Sequence, residues 1–570
     1  MRCAVAIAIG AIAGDLGAQD VSAPLRVPCN GQTISEIRIV TQPPEYGSIF
    51  ARWRFLRNSV ARLHVTTREE VIRRFLLLKD GDACRELRRS ETERILLAQP
   101  FLADATVHAE DDGGGGVRIV VTTIDEVSAL GALGVAGTKV TVLKLGNANV
   151  AGDGVFALGE WRDGGVYRDL WGASFTDHQL GGRAYQLTVE GARRPVGGEW
   201  RALVAHPFLT DLQRVAWRVT AGESRSFTPF RIDADNSPSL SVRRRYADLG
   251  GIIRIGEPGR LSLFGASLSH EAGSSDSLAV IMTDSGLVRA DAVELDGAYG
   301  RHRTARANLL WGVRNIKFDR VMGFDALFAP QDVRRGFQLG VLFGRGLSVL
   351  GSDDDDIALA GDLYMGAGGR RSFVALQARG EGRQDYDRNR WDGVLAGGRA
   401  AWYLKPSPSH TAVLSLDGGA GWRQRVPFQL TAADRDGGIR GHGASKMGGA
   451  QRAVVRLEDR WAIGTLRKSA GLGVAAYVDA GRLRAGDSPY GVDSPLLAGA
   501  GIGILIALPP RSKRMWRLDV AYPIAGARDG ERRIDVRLRA NDFTRRFWKE
   551  PRDLRRGRER SVPSSIFNWP

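Results

Sequence analysis

Ile439-Arg440-Gly441-His442, then Arg456-Leu457-Glu458-Asp459-Arg460, then Tyr477-Val478-Asp479-Ala480-Gly481: this stretch sets an Arg-Gly pair on a Gly-rich loop, a charged strand, and an alternating strand with a lone acid. A guanidinium can fork two hydrogen bonds to one carboxylate, a geometry that Lys cannot copy. A clasp of that kind needs a narrow polar interior with a wall behind it. The segments together hold what an arginine clasp inside a polar barrel, centred on Arg440, would need, while Arg440-Gly441 read alone is equally a solvated turn. Alternation aims Asp479 to the same side as Tyr477 and Gly481, and the glycine leaves room for a loop.

The sequence on either side agrees. From Val127 to Phe547 there is no convincing helix pattern but many short alternating runs. Leu187 and Val189 alternate with Gln186, Thr188 and Glu190; Trp516, Leu518, Val520 and Tyr522 alternate with Arg517, Asp519 and Ala521. An Arg or Lys facing hydrocarbon at the bilayer midplane costs about 2–4 kcal/mol, so charges in a membrane barrel point into a wet lumen. The same alternation suits a soluble sandwich with a dry core. Length separates the two, because so long an unbroken run of strands is large for one sandwich. At roughly 10 residues per spanning strand plus turns and long outer loops, the run holds about sixteen strands. Gly-Asp clusters such as Gly152-Asp153-Gly154, Asp163-Gly164-Gly165 and Asp436-Gly437-Gly438 supply the turns.

Composition leaves both classes open. The 570 residues are 43% hydrophobic and 25% charged, and the mean hydropathy is −0.19. Runs such as Ile502 to Leu508 fall well short of the roughly 18 apolar residues of a transmembrane helix.

Residues 1–18 read as a secretory signal: Arg2, an apolar run from Cys3 to Ala13, then small residues up to Ala18. Export would leave Cys29 and Cys84, either bridged in an oxidising compartment or as two free thiols. Residues 30–126 form one compact α+β unit. Ile34, Ile37 and Ile39 open it as a strand. Thr67-Arg68-Glu69-Glu70 reads as a capping box before a helix carrying Val71, Phe75 and Leu78, and a second helix runs from Arg85 to Ala98. Ala105–Ala109 and Val117–Thr122 are strands joined by an Asp-Gly turn.

These motifs resemble the BamA/TamA-type outer-membrane assembly and translocation superfamily. In that family an Arg-Gly-aromatic loop folds into the lumen and meets the acid of an aromatic-x-Asp-x-Gly strand. Here Arg440, Gly441 and His442 stand in the loop positions, with His442 where the family has Tyr or Phe, and Asp479 and Gly481 stand in the strand positions. Glu458 is a second candidate partner. The run from Thr67 through Lys79-Asp80-Gly81-Asp82 and Phe101-Leu102-Ala103-Asp104-Ala105 to Thr122 is similar to a POTRA domain, and Leu145 to Gly154 looks like the family's Asn-rich first hairpin.

The resemblance implies a mostly β protein: a signal peptide (1–18), one POTRA-like periplasmic domain (30–126), a sixteen-stranded antiparallel transmembrane β-barrel of the surface-antigen type (127–548) and a basic C-terminal tail (549–570). It implies a cell outer membrane location. The partners it implies are the lipid bilayer, unfolded client outer-membrane or secreted polypeptides, and periplasmic accessory proteins. No catalysis, cofactor or metal is required. The POTRA-like unit either pairs with extended clients by β-augmentation or is a spacer.

A net charge of +16 suggests nucleic acid, but Arg is dispersed through alternating strands rather than gathered around aromatic platforms, so no nucleic-acid partner is expected. Nucleophile-elbow, phosphate-loop and zinc-protease motifs are absent. Asp353-Asp354-Asp355-Asp356 reads as a solvated acidic loop with some capacity for a divalent cation. Between Arg545 and Arg560 eight Lys or Arg stand against three acids, so this tail reads as disordered or resting on anionic headgroups. A passive pore and a membrane-embedded enzyme remain as alternative functions.

Overall fold

The computed structural model describes residues 26–44, 65–136, 139–163, 169–194, 197–232, 237–283, 286–466, 469–528, 530–542 and 550–560. The expected signal segment, 1–18, lies outside them.

The amino-terminal unit comprises β1 (Arg26–Val27), β2 (Asn30–Gln42), α1 (Glu69–Arg73), β3 (Ala83–Arg85), α2 (Glu86–Ala98), β4 (Leu102–Asp111) and β5 (Val117–Asp125). Its sheet has the order β1-β4-β5-β2-β3, with β2 and β5 parallel. Val117, Ile119 and Val121 of β5 face one side and pack with Val71, Phe75, Ile95 and Leu96, so the helices cover the apolar face of the sheet. Cys29 and Cys84 form a disulfide with their Cα atoms 4.9 Å apart, tying the chain before β2 to β3.

The capping box does not form. α1 has Arg68 at its cap position with no side-chain cap bond. The Thr67 hydroxyl instead donates to Asp125 Oδ1 at 2.7 Å, and the Thr67 N–H donates to Oδ2 at 2.8 Å. A buried carboxylate is a stronger acceptor than the cap, and a five-residue helix has little to gain from one.

From Ala129 onward the chain is one antiparallel sheet whose last strand, Asp535–Asp542, neighbours its first, Ala129–Ala136, so the sheet closes on itself. Twenty strands make this wall among the described residues, and a short hairpin, Val280–Thr283 with Gly286–Arg289, branches from it. The expected sixteen is too few. That estimate reserved chain for long loops, whereas many connections are as tight as Glu257–Arg260 and Ser407–His410, and the chain saved makes further strands.

The wall is inverted relative to a soluble core. Leu249, Leu309, Leu457, Ile502 and Ile524 on its outer face are each more than half exposed, while Arg218, Asp248, Arg306, Glu458 and Arg517 on its inner face are buried. Among the described residues no helix is long and apolar enough to cross a membrane.

The amino-terminal unit covers one end of the barrel. Arg68 N–H donates to Gly152 O at 3.1 Å, Gln179 to Val71 O at 2.9 Å, and Arg514 to Pro100 O at 2.8 Å, all three barrel residues being on or beside turns at that end.

Two expectations about polar segments need correction. The acidic run is solvated only in part: Asp353 and Asp355 are exposed, whereas Asp354 and Asp356 meet Arg425 and Arg306 at 2.7 and 2.6 Å, and Asp356 is buried. No group of residues that could hold a metal occurs among the described residues. The tail, over residues 550–560, is neither solvated nor at a headgroup surface but lies inside the barrel, where wall residues of opposite charge receive it.

Candidate functional site: an arginine clasp in the lumen

The segment 423–450 links the fifteenth strand, His410–Trp422, to the sixteenth, Gln451–Leu466, at the end remote from the amino-terminal unit. It turns inward rather than outward. Leu430–Thr431 pairs with Gly448–Gly449, and Phe428, Leu430, Ile439 and Met447 build an apolar cluster with Leu395 and Val454 of the wall. This anchoring fixes where Arg440 emerges.

Three glycines make the approach feasible. Gly441 has φ +90°, and a Cβ there would stand 2.9 Å from the Tyr522 carbonyl carbon. A Cβ on Gly499 would fall 1.9 Å from Arg440 O, and one on Gly481 would meet Ile439 at 3.2 Å. The loop therefore rests on bare backbone.

Arg440 forks onto Asp479: Nε to Oδ2 at 2.8 Å and Nη2 to Oδ1 at 2.6 Å, with its backbone N–H adding a third bond to Oδ2 at 3.1 Å. Its remaining arm, Nη1, donates to Glu458 Oε2 at 2.6 Å. Asp479 and Glu458 are thus both partners rather than alternatives. Strand register explains the convergence: on the sixteenth and seventeenth strands Arg456 faces Asp479 and Glu458 faces Tyr477. The Tyr477 ring lies under the guanidinium, its centroid 3.5 Å from Arg440 Cζ, and Gly501 leaves the space that ring needs.

Further residues complete the group. Arg517 donates to both oxygens of Glu458, at 2.7 and 3.0 Å, and to Asp519 at 2.6 Å, while Arg460 Nε donates to Glu458 Oε1 at 2.6 Å. Arg440, Arg460 and Arg517 balance Asp479, Glu458 and Asp519. Sequence reading did not single out Arg460, Arg517 or Asp519, although their signal is the alternation itself: Arg460 is two residues from Glu458, and Arg517 and Asp519 fall on the charged face of their strand. His442 is drawn away from the network, its Nε2 donating to Ala498 O at 3.0 Å. With every oxygen of Asp479 and Glu458 engaged, the group acts as a fastener that pins the loop to the wall.

No protein-family model matches this chain, and no curated protein matches it. Among solved structures it is similar to CdiB from Escherichia coli (TM-score 0.40, 11% identity, covering 90% of this chain and 76% of that one). It is also similar to BamA from Haemophilus ducreyi lacking POTRA domains 1-3 (TM-score 0.37, 12% identity, 90% and 85%). CdiB from Acinetobacter baumannii gives a TM-score of 0.37 at 10% identity, covering 83% and 74%. Overlap at this level assigns neither family nor function.

A second polar site joins the amino-terminal unit to the barrel. Asn149, from the Asn-rich hairpin, donates to the Thr67 hydroxyl at 2.8 Å and accepts from Gly154 N–H at 2.7 Å, while Thr67 holds Asp125. Burial pushes the Asp125 carboxyl up to about 6 against the opposing pull of the Thr67 bonds. The neighbouring Glu126 is also pushed up by burial, with Arg514 and Ser512 opposing. Both carboxyls stand at the junction of the two units.

Proposed function

We propose that this chain is an outer-membrane β-barrel that inserts or translocates polypeptides, with the amino-terminal unit as a POTRA-like periplasmic domain. The observation that carries the membrane assignment is the inverted wall, apolar outside and charged inside. In water so much exposed apolar surface is unfavourable, whereas in a bilayer it is matched to lipid and the inward charges pair with one another away from it. Client handling rests on the resemblance of the Arg440 loop and of residues 67–122 to the assembly family. The seam adds support: the run Arg532 to Asn541, which leads into and forms most of the last wall strand, is charge-dense in sequence. A weakly held seam lowers the cost of admitting the edge of a client strand. The work requires no catalysis, because binding and strand exchange suffice.

The test is insertion of a denatured outer-membrane barrel protein into vesicles containing this chain, followed by the client's change in gel mobility on folding. The reading predicts faster client folding, lost in Arg440→Ala and after deletion of residues 30–126. An unchanged client folding rate in the presence of the wild-type protein would refute it. The alternative of a passive pore draws on a lumen cavity of about 840 Å³ lined by Lys144, Arg162, Arg201 and Arg555. It predicts steady conductance indifferent to removing residues 30–126.

A further inference from the structure

Residues 550–560 enter the lumen and touch the wall from the eighth strand, Ser239–Glu257, to the sixteenth, Gln451–Leu466. In a ring of twenty, two strands eight places apart stand nearly opposite, so this short segment crosses the bore. The wall residues it meets, among them Arg306, Glu381 and Arg452, lie within five residues of strand ends remote from the amino-terminal unit.

The seat is matched to this segment in charge and in shape. Asp553 accepts from Arg452 Nη2 at 3.1 Å, Glu559 meets Arg306, and Arg558 donates to Glu381 at 2.9 Å. Arg244 donates to the backbone carbonyls of Arg556 and Arg558 at 2.9 and 2.7 Å, fixing the main chain as well. Leu554 is buried beside Leu395 and Leu430, in a hollow that exists because Gly397 and Gly419 lack side chains; a Cβ at Gly419 would stand 2.7 Å from Leu554. The segment also presses on the inward loop. Thr431 N–H donates to Asp553 Oδ2 at 3.2 Å, and Pro551 covers Gly437 so closely that a Cβ there would be 2.6 Å away.

We propose that the barrel wall carries a binding site for this chain's own carboxyl-terminal segment, and that residues 550–560 are a resident plug that leaves this site when the lumen opens. The proposal rests on the membrane-barrel reading. A solvated basic tail would need neither the glycine hollow nor acids and bases each set against a wall charge of opposite sign. Because the plug grips the Arg440-bearing loop at Thr431 and Gly437, its release also loosens the support of the clasp.

The decisive pair is Gly419→Cys with Leu554→Cys. In the detergent-solubilised full chain the proposal expects spontaneous cross-linking, read as a reductant-sensitive mobility shift; no cross-link would overturn the seat, whether or not the protein enters a bilayer. In planar bilayers the cross-linked protein stays nearly silent, and reductant raises conductance severalfold. Deleting residues 550–570 gives a steadily open pore that a synthetic peptide of residues 550–560 blocks, and the same peptide carrying Leu554→Arg does not. Equal conductance with and without the segment, or indifference to the wild-type peptide, would overturn the plug. Failure of every variant to enter the bilayer would instead count against the membrane reading.

Discussion

Arg440 holds two carboxylates that have no access to bulk water, so its loss is felt mainly as stranded negative charge. Removing one partner of a buried ion pair costs about 3–5 kcal/mol. Arg440→Ala is therefore expected to lower the urea midpoint of the barrel, whereas Arg440→Met combined with Asp479→Leu, which keeps Glu458 for Arg460 and Arg517, recovers much of that loss; equal midpoints for wild type and the single variant would show that the clasp adds no stability. At the junction, Asp125 has its carboxyl raised to about 6 in the fold, above its value of about 4 in an unfolded chain. The protonated form thus favours folding: the contribution is fully present below about pH 4 and is lost as pH rises through about 6, a swing of up to about 3 kcal/mol. The amino-terminal unit should resist urea better at pH 4.5 than at pH 7.5, and Asp125→Asn should flatten that difference; an identical slope in the variant would exclude Asp125 as its source. Arg440 and Asp479 were legible as matches to the motifs of the family the sequence resembles, with alternation aiming Asp479 to the side of Tyr477, and Glu458 was legible only as a second candidate acid. The roles of Thr67 and Asp125 were not, because a Thr three residues ahead of a Glu signals a cap locally, while its true acceptor lies 58 residues away.

Among elements, the amino-terminal strands and second helix follow their apolar spacing closely: α2 begins at Glu86 and ends at Ala98, against an expected span of 85–98. α1 is shorter than the stripe of Val71, Phe75 and Leu78 suggested, yet all three side chains are buried, because a turn can deliver them to the sheet as well as a helix can. The Cys29–Cys84 bridge closes a separation of 55 residues, for which loop entropy gives about 4 kcal/mol. Reduction should make residues 26–126 protease-sensitive while the barrel keeps its resistance to mobility change on gels; unaltered proteolysis would mean that the bridge adds nothing. The tail illustrates a different limit. Its excess of arginine reads as solvated in any window of sequence, and only the fold brings Glu381, Arg306 and Arg452 to meet it.

For the molecule as a whole, alternation specified which face of each strand is charged, but not how many strands share the chain, because turn length cannot be read from periodicity. The same inverted wall underlies the lumen clasp and the seated tail, and neighbouring residues on one strand test it. Lys144 points inward to the lumen cavity and pairs with Glu160 at 2.6 Å, while Leu145 is 61% exposed on the outer face. The measurement is paramagnetic relaxation of spin labels at Lys144→Cys and Leu145→Cys in lipid vesicles, using oxygen as the lipid-soluble agent and a nickel chelate as the water-soluble one. An inverted wall predicts that the label at 145 responds to oxygen and the label at 144 to nickel; a label at 145 that responds chiefly to nickel would contradict a barrel embedded in lipid.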